Sequence, residues 1–261
     1  MVLFTHLKMS TFDTLHSRMT NLTQKKEHIF TQHFFFPKWY SIFINPYFIS
    51  RRSLLVSIRK FAQATSADAT VLDVGCGIKP YRQFFTTKNY TGIDIQGGGH
   101  RDEAKDVTLY FDGHTIPFPD NSFDTLLCTE VLEHADDPEM LVAECARVLK
   151  SGGRAYFSIP FVYPEHEVPY DFRRFTHFEH QRLFSKNNFL DIQTVKTTGF
   201  FGTFGQIFSV WVFEGIPFRS TLLKTLLAAL ILAPVQAFSL LLDKVTGGSG
   251  ITLNYISEMK K

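Results

Sequence analysis

Cysteine is scarce in this chain and does not pair. Cys76, Cys128 and Cys145 are the only three, and no two of them form a CxxC motif. An odd, scattered set argues against a disulfide framework or a zinc site, and no metal ligand set is expected. The pattern fits a reducing compartment, so a cytoplasmic location is expected. Charge of one sign is also missing. The 27 Lys and Arg nearly balance the 25 Asp and Glu, for a formal net charge of +2, which leaves no electrostatic footprint for a nucleic-acid partner. Internal repeats are absent, and the opening residues MVLFTHLKMSTFDTLHS lack the apolar core of a secretory signal. Aromatic side chains, by contrast, are abundant. Twenty-eight of the 261 residues are phenylalanine, and 44% of the chain is hydrophobic, enough to fill one large domain.

Residues 1–49 read as an aromatic-rich N-terminal extension ending in HFFFPKWYSIFINPYF. From residue 50 the pattern becomes regular. SRRSLLVSIRKFAQ carries apolar residues at helical spacing. VLDVG (71–75), YTGIDI (90–95), VTLYF (107–111), SFDTLLCTE (122–130), RAYFSIP (154–160), FLDIQTVKT (189–197) and ITLNYISEM (251–259) read as seven strands. Helices are expected near Lys79, from a cap at Asp137 with Pro138 in first place to a stop at Gly152–Gly153, and from a capping box at Thr176. Strands alternating with helices predict an α/β fold: a Rossmann-like, seven-stranded, mostly parallel sheet with helices on both faces. An apolar helical insert at 200–243 precedes the last strand.

The chemistry is expected beyond the carboxyl ends of these strands. Gly75 and Gly77 let backbone approach a ligand that a Cβ would repel, and the helix expected after them would aim its N–H groups there. Pro80 stands where a dinucleotide fingerprint needs its third glycine, which disfavours NAD. Asp94, seventeen residues after Gly77, ends the second strand where an acidic residue can accept from both hydroxyls of a ribose. Asp112–Gly113 ends the third.

VLDVGCG, GIDI, DGHTIPFPDNSFDTLLCTEVLEH and ARVLKSGG, in this order and spacing, resemble the class I S-adenosylmethionine-dependent methyltransferases, in particular the type 11 group. The resemblance covers roughly residues 50–200, and Lys79 stands where many members carry a third glycine. It implies S-adenosylmethionine as cofactor, with Asp73, Gly75 and Gly77 around its methionine part, Asp94 on its ribose, Asp112 and Gly113 at its adenine, and Glu130 beside it. The stretch PFVYPEHEVPYDFRRFT and the apolar insert are similar to those of a subgroup found with cell-surface polysaccharide genes. The implied acceptor is a small molecule, a glycan or a lipid-linked group.

YPEHEVPYDFRRF (163–175) follows the fifth strand, on the acceptor side. His166 is the candidate base, because an imidazole titrates near neutrality. Glu165, Glu167 or Asp171 could orient it, which gives Asp171 a catalytic part; Arg173 and Arg174 could grip an acidic acceptor, and Glu165 and Tyr170 could contact it. The bland reading is a surface loop stiffened by its prolines, its arginines paired with its acids. His134 reads rather as a loop or helix-entry residue.

Residues 216–243 are apolar enough to meet a membrane, yet a single crossing would separate two strands of one sheet. A peripheral contact with the cytoplasmic face is expected, through an in-plane helix or a hairpin bent at Pro234; a homodimer interface is the alternative use. The rival function is a catalytically inactive methyltransferase-fold scaffold at a membrane surface.

Overall fold

The computed structural model describes residues 35–97, 105–215, 221–248 and 250–261. Most of the aromatic extension, and residues 216–220 of the apolar insert, lie outside them. All seven expected strands form one sheet: β1 (Val71–Val74), β2 (Tyr90–Ile95), β3 (Leu109–Phe111), β4 (Phe123–Thr129), β5 (Leu149–Pro160), β6 (Leu190–Lys196) and β7 (Asn254–Lys260). Their order is β3-β2-β1-β4-β5-β7-β6, parallel except for β7, which runs antiparallel to both β5 and β6.

The two faces of the sheet follow from the two-residue period of the strands. Leu72 and Val74 of β1, Leu126 and Cys128 of β4, and Ala155 and Phe157 of β5 bury on one side, against α2 (Pro138–Val148) and α3 (His177–Lys186). Val71, Leu127 and Tyr156 bury on the other, against Leu54, Ile58, Phe61 and Ala62 of α1 (Phe48–Gln63). The expected caps are present. Asp137 Oδ1 accepts from Met140 N at 2.9 Å and Thr176 Oγ1 from Glu179 N at 3.3 Å.

Two helical expectations are corrected. After β1 there is only a short 3-10 turn, Arg82–Phe84. Gly75, Gly77 and Lys79 all take left-handed backbone, at φ +67°, +50° and +49°, and Pro80 follows, so a helix cannot start there. The α2 helix also ends at Val148, and β5 begins at once with Leu149, four residues before the glycine pair completes.

The insert forms α4 (Phe200–Gly215) and α5 (Thr221–Thr246), packed on each other. The Asp243 carboxylate, near the end of α5, accepts from Gly199 N at 2.7 Å and Phe201 N at 3.0 Å, so it caps the start of α4 and the two helices run antiparallel. A Cβ on Gly205 would stand 2.1 Å from Ser239 Oγ, which is why the axes can approach so closely there. Pro234 is not the bend; it lies inside α5. The α5 helix continues through it because tertiary contacts hold the turn that follows: buried Gln236 donates to the Ile42 and Asn45 carbonyls at 3.0 and 3.3 Å. Asp243→Ala is expected to cost about 1–2 kcal/mol and lower Tm by roughly 2–4 °C per kcal/mol. An unchanged thermal unfolding curve would contradict this capping role.

Candidate active site

The order of strands reverses between β1 and β4, and a cavity of about 1160 Å³ opens there, at their carboxyl ends. Asp73, Gly75, Gly77, Asp94, Asp112, Gly113 and Glu130 all line it.

The β1 end sets the floor. Asp73 is buried, and its Oδ2 accepts from Tyr90 Oη at 2.6 Å. Burial pushes its carboxyl up to about 7; the Tyr90 hydrogen bond opposes the rise and Asp94 adds to it. A Cβ on Gly75 would fall 2.3 Å from Val131 Cγ2, so only glycine allows this turn, whereas a Cβ on Gly77 would meet nothing within 4 Å. The Gly77 side of the loop therefore leaves room for a ligand against bare backbone.

Asp94 holds the loop to β2. Its Oδ2 accepts from Gly77 N at 2.8 Å, and its Oδ1 from Ile95 N at 2.8 Å and from Lys105 Nζ at 3.2 Å. Asp112 Oδ1 accepts from His114 N and Thr115 N at 2.8 and 2.7 Å; these bonds lower its carboxyl below the usual range and fix the Asp112–Gly113 turn, where Gly113 sits at φ +82°. Glu130 holds left-handed backbone (φ +54°) and accepts from Ser158 Oγ at 2.7 Å and Asn254 Nδ2 at 2.9 Å; burial nevertheless raises its carboxyl. A strained non-glycine residue over-determined by its partners belongs at a working site.

These residues fit S-adenosylmethionine. Three acidic side chains stand at successive strand ends, one of them buried and aimed into the cavity, and bare glycine backbone faces open space between them.

The other end of the cavity is built by the loop after β4 and the loop after β5. His134, His166 and Tyr170 line it. The His134 and His166 rings meet edge to face, 4.8 Å between centroids. Beneath them lies Glu133, fully buried, with both carboxylate oxygens lacking a hydrogen-bond partner among the described residues. Burial and the neighbouring Glu130 push its carboxyl well up. Burial lowers His166, against the pull of Asp171.

Asp171 does not face the cavity. Its carboxylate is gripped by Arg174 at 2.5 and 2.6 Å, which brings its carboxyl down to about 2, and its Oδ2 lies 3.2 Å from His166 Nδ1. It can orient the imidazole but is not itself placed against an acceptor. Three expected acceptor contacts are corrected. Glu165 is exposed and outside the cavity lining. Arg174 is committed to Asp171, and Arg173 donates to the Ala135 carbonyl and, at 3.0 Å, to the Asp136 carbonyl. Both guanidiniums tie the loop down rather than grip a ligand. The stretch is thus both things its composition suggested: a pinned loop that presents one histidine.

Several residues at or beneath the cavity escaped the sequence reading. Arg51 comes from α1, outside every motif, and lies over the Phe35 ring at 4.5 Å. Lys105 follows a segment without regular pattern. Glu133 sat in view within CTEVLEH, but its apolar neighbours hid that it turns inward.

A family model described as a methyltransferase domain matches residues 72–157. A sterol 24-C-methyltransferase of Gibberella zeae is 38% identical over 96 residues, 32% of this chain and 25% of its own. A fatty-acid O-methyltransferase of Mycolicibacterium smegmatis is 30% identical over 131 residues, 46% of this chain and 47% of its own. The chain therefore spans about a quarter to a half of the length of these curated relatives. Among solved structures, phosphoethanolamine N-methyltransferase 2 of Haemonchus contortus, in complex with S-adenosyl-L-methionine, shares the fold at a TM-score of 0.51 and 16% identity, over 80% of this chain and 52% of its own. Carbon appears in the name of one curated relative and oxygen in that of the other. Residues 72–157, at the centre of this seven-stranded sheet, are a methyltransferase domain of the class I S-adenosylmethionine-dependent kind.

Proposed function

We propose that the protein transfers a methyl group from S-adenosylmethionine to a small-molecule acceptor of lipid or lipid-linked type, at the cytoplasmic face of a membrane. The observation that carries the methyl-transfer reading is a single cavity with two chemically distinct ends: acidic side chains on glycine-rich backbone at one, and paired histidines at the other. The bound cofactor supplies a methyl group already activated as a sulfonium. The chain's own task is alignment, which is worth about 7 kcal/mol or more in favourable cases. Asp73, Asp94, Asp112 and Glu130 would hold the cofactor, and Tyr170, His134 and His166 face the acceptor. Thermal unfolding with S-adenosylmethionine or NAD tests this. A ligand that binds the native state raises Tm, so a rise with S-adenosylmethionine alone is expected. No rise with either favours the inactive scaffold, and a rise with NAD alone overturns the reading.

Asp73 makes cofactor binding depend on pH. With its carboxyl near 7, the residue carries a proton over much of the acid range. A cationic ammonium placed beside it favours the ionised form, so binding releases that proton. Affinity for S-adenosylhomocysteine is expected to fall as pH drops through about 7, and Asp73→Asn should flatten the profile. Titration calorimetry in buffers of different ionisation enthalpy checks this; no proton release in the wild type would contradict it.

The membrane placement is supported by α4 and α5. Trp211, Phe204, Phe238 and Leu230 are 60–74% exposed along the hairpin. Ala229–Thr246 is long and apolar enough to cross a bilayer by length and composition. Yet α4 follows β6 and α5 precedes β7, and these strands pair, so both ends of the hairpin return to the sheet. Shallow insertion satisfies both facts. Tyr47 links this unit to the cavity wall: its Oη lies 3.2 Å from Glu214 Oε1 of α4, and its ring 6.0 Å from that of Tyr163. An acceptor held in the membrane would thus stand beside the cavity. Vesicle flotation is expected to recover the protein with lipid. Trp211→Ser with Phe238→Ser should weaken partitioning about tenfold or more, since each buried aromatic contributes about 1.5–3 kcal/mol. A protein that stays below the vesicles would contradict the placement.

A further inference from the structure

We propose that Glu133, His134 and His166 form a binding site for one divalent metal ion of the zinc type at the acceptor end of the cavity. Metal binding stands on the geometry of these residues alone; its use in positioning an acceptor rests on the methyl-transfer reading.

A hydrogen bond behind one ring and a carboxylate behind the other set the geometry. His134 Nδ1 lies 2.9 Å from the Tyr170 carbonyl oxygen. A carbonyl only accepts, so Nδ1 carries the proton and Nε2 presents a lone pair. That Nε2 has no hydrogen-bond partner and stands 3.6 Å from Glu133 Oε1. His166 has Asp171 Oδ2 behind it, 3.2 Å from Nδ1, and its Nε2 stands 3.9 Å from the same Glu133 oxygen. The three ligand atoms all lie within 4.8 Å of one another.

Among the described residues no hydrogen bond links them. Separations of 3.6 and 3.9 Å are too long for a hydrogen bond or a shared proton. Acceptors that face each other at this distance inside a protein repel unless a proton or a cation lies between them, and Glu133 is fully buried with both oxygens unpartnered among the described residues. Atoms bound at about 2.1 Å to a tetrahedral ion stand about 3.4 Å apart, so the two Glu133 separations need only a small contraction, and a rotation of the imidazoles toward each other completes the ligand set. An acceptor group behind each ring is the usual support of a metal-bound histidine, because it fixes the tautomer and raises ligand basicity.

Two imidazole nitrogens and one carboxylate oxygen select zinc or a similar borderline ion over magnesium or calcium, which prefer oxygen alone. Three protein ligands leave a coordination position for an outside donor. His134 and His166 line the cavity, so that position takes an oxygen or nitrogen of the acceptor, held next to the cofactor end. The sequence carried no expectation of a metal, because two ligands lie in CTEVLEH and the third some thirty residues on, in YPEHEVPYDFRRF.

Zinc chloride titrated against a chromophoric chelator, with the metal-stripped, tag-free full chain, tests the site, with the visible absorption of a cobalt(II) derivative as a second readout. One equivalent per chain is expected. His166→Ala and Glu133→Gln should each abolish stoichiometric binding, and Asp171→Asn should weaken it roughly 10–100-fold. The rise in Tm with S-adenosylhomocysteine, measured on each variant, separates loss of the site from loss of the fold. His166→Ala, at a partly exposed ring on a loop, serves if the buried Glu133→Gln fails to fold. No zinc equivalent in the wild type, or wild-type zinc affinity in folded His166→Ala, overturns the inference. S-adenosylhomocysteine bound without zinc sinks the metal site alone; zinc bound without S-adenosylhomocysteine sinks the methyl-transfer reading and leaves the metal site standing.

Discussion

Asp94→Ala is expected to weaken S-adenosylhomocysteine binding about ten- to a hundredfold, which corresponds to roughly 1.5–3 kcal/mol for the loss of one charged acceptor. The residue has two duties in the structure. It ends β2 at the cavity wall, where a ribose would meet it, and it ties the β1 loop down through Gly77 N at 2.8 Å. It also pairs with Lys105 at 3.2 Å, so alanine removes one carboxylate contact from a buried ammonium. Asp94→Asn separates the duties: the amide oxygen can still accept from Gly77, but the charge is gone. Alanine should therefore lose more affinity than asparagine. Calorimetric titration reads both, and wild-type affinity in a folded Asp94→Ala protein would remove Asp94 from the cofactor site.

His166→Ala is expected to lower turnover by about 10²-fold or more while leaving cofactor affinity nearly intact. The loop that carries it, residues 163–175, is pinned by Arg174 to Asp171 and by Arg173 to the backbone before α2, so the ring is held at the acceptor end and away from Asp94. Loss of the ring should not move the cofactor end. Single-turnover kinetics with labelled S-adenosylmethionine, set beside the binding titration, give the two numbers. Unchanged turnover would reduce His166 to a structural residue, and lost cofactor binding would assign the loop to the other half of the cavity.

Strands and caps were legible because their signals are local. VLDVG, YTGIDI and RAYFSIP are short apolar runs bounded by turn residues, and Asp137 and Thr176 cap helices through their own side chains. The pairing of β7 between β5 and β6 was not legible, since it joins segments that stand far apart in sequence, as Pro160 with Asn254 and Lys196 with Tyr255 show. The expected helix near Lys79 failed because three left-handed residues cannot be read from letters when one of them is lysine. Pro234 misled for the opposite reason: tertiary contacts at Gln236 and Asp243 held a helix that propensity alone would break.

The site divides the same way. Asp73, Gly75, Gly77, Asp94, Asp112 and Gly113 sit at strand ends, so placing the strands brought them to one cavity. The arginines of the 163–175 loop were misjudged because composition does not reveal a partner. Arg174 is three residues from Asp171, close enough to spend its charge inside the loop. Glu133 and Arg51 were missed because each acts from an element whose inward turn is set by packing: Glu133 from the loop that seats Leu132 in the core, Arg51 from the helix that seats Leu54 and Leu55.

The central claim is that this cavity holds S-adenosylmethionine at its acidic end and leaves its histidine end to the acceptor. The structure of the chain with S-adenosylhomocysteine tests that most directly. The account predicts the ribose hydroxyls within hydrogen-bond distance of Asp94, the adenine at Asp112–Gly113, and the thioether turned toward the side of the cavity that His134 and His166 line. A ligand bound elsewhere, or bound here with its ribose away from Asp94 and its thioether away from the histidines, would contradict it.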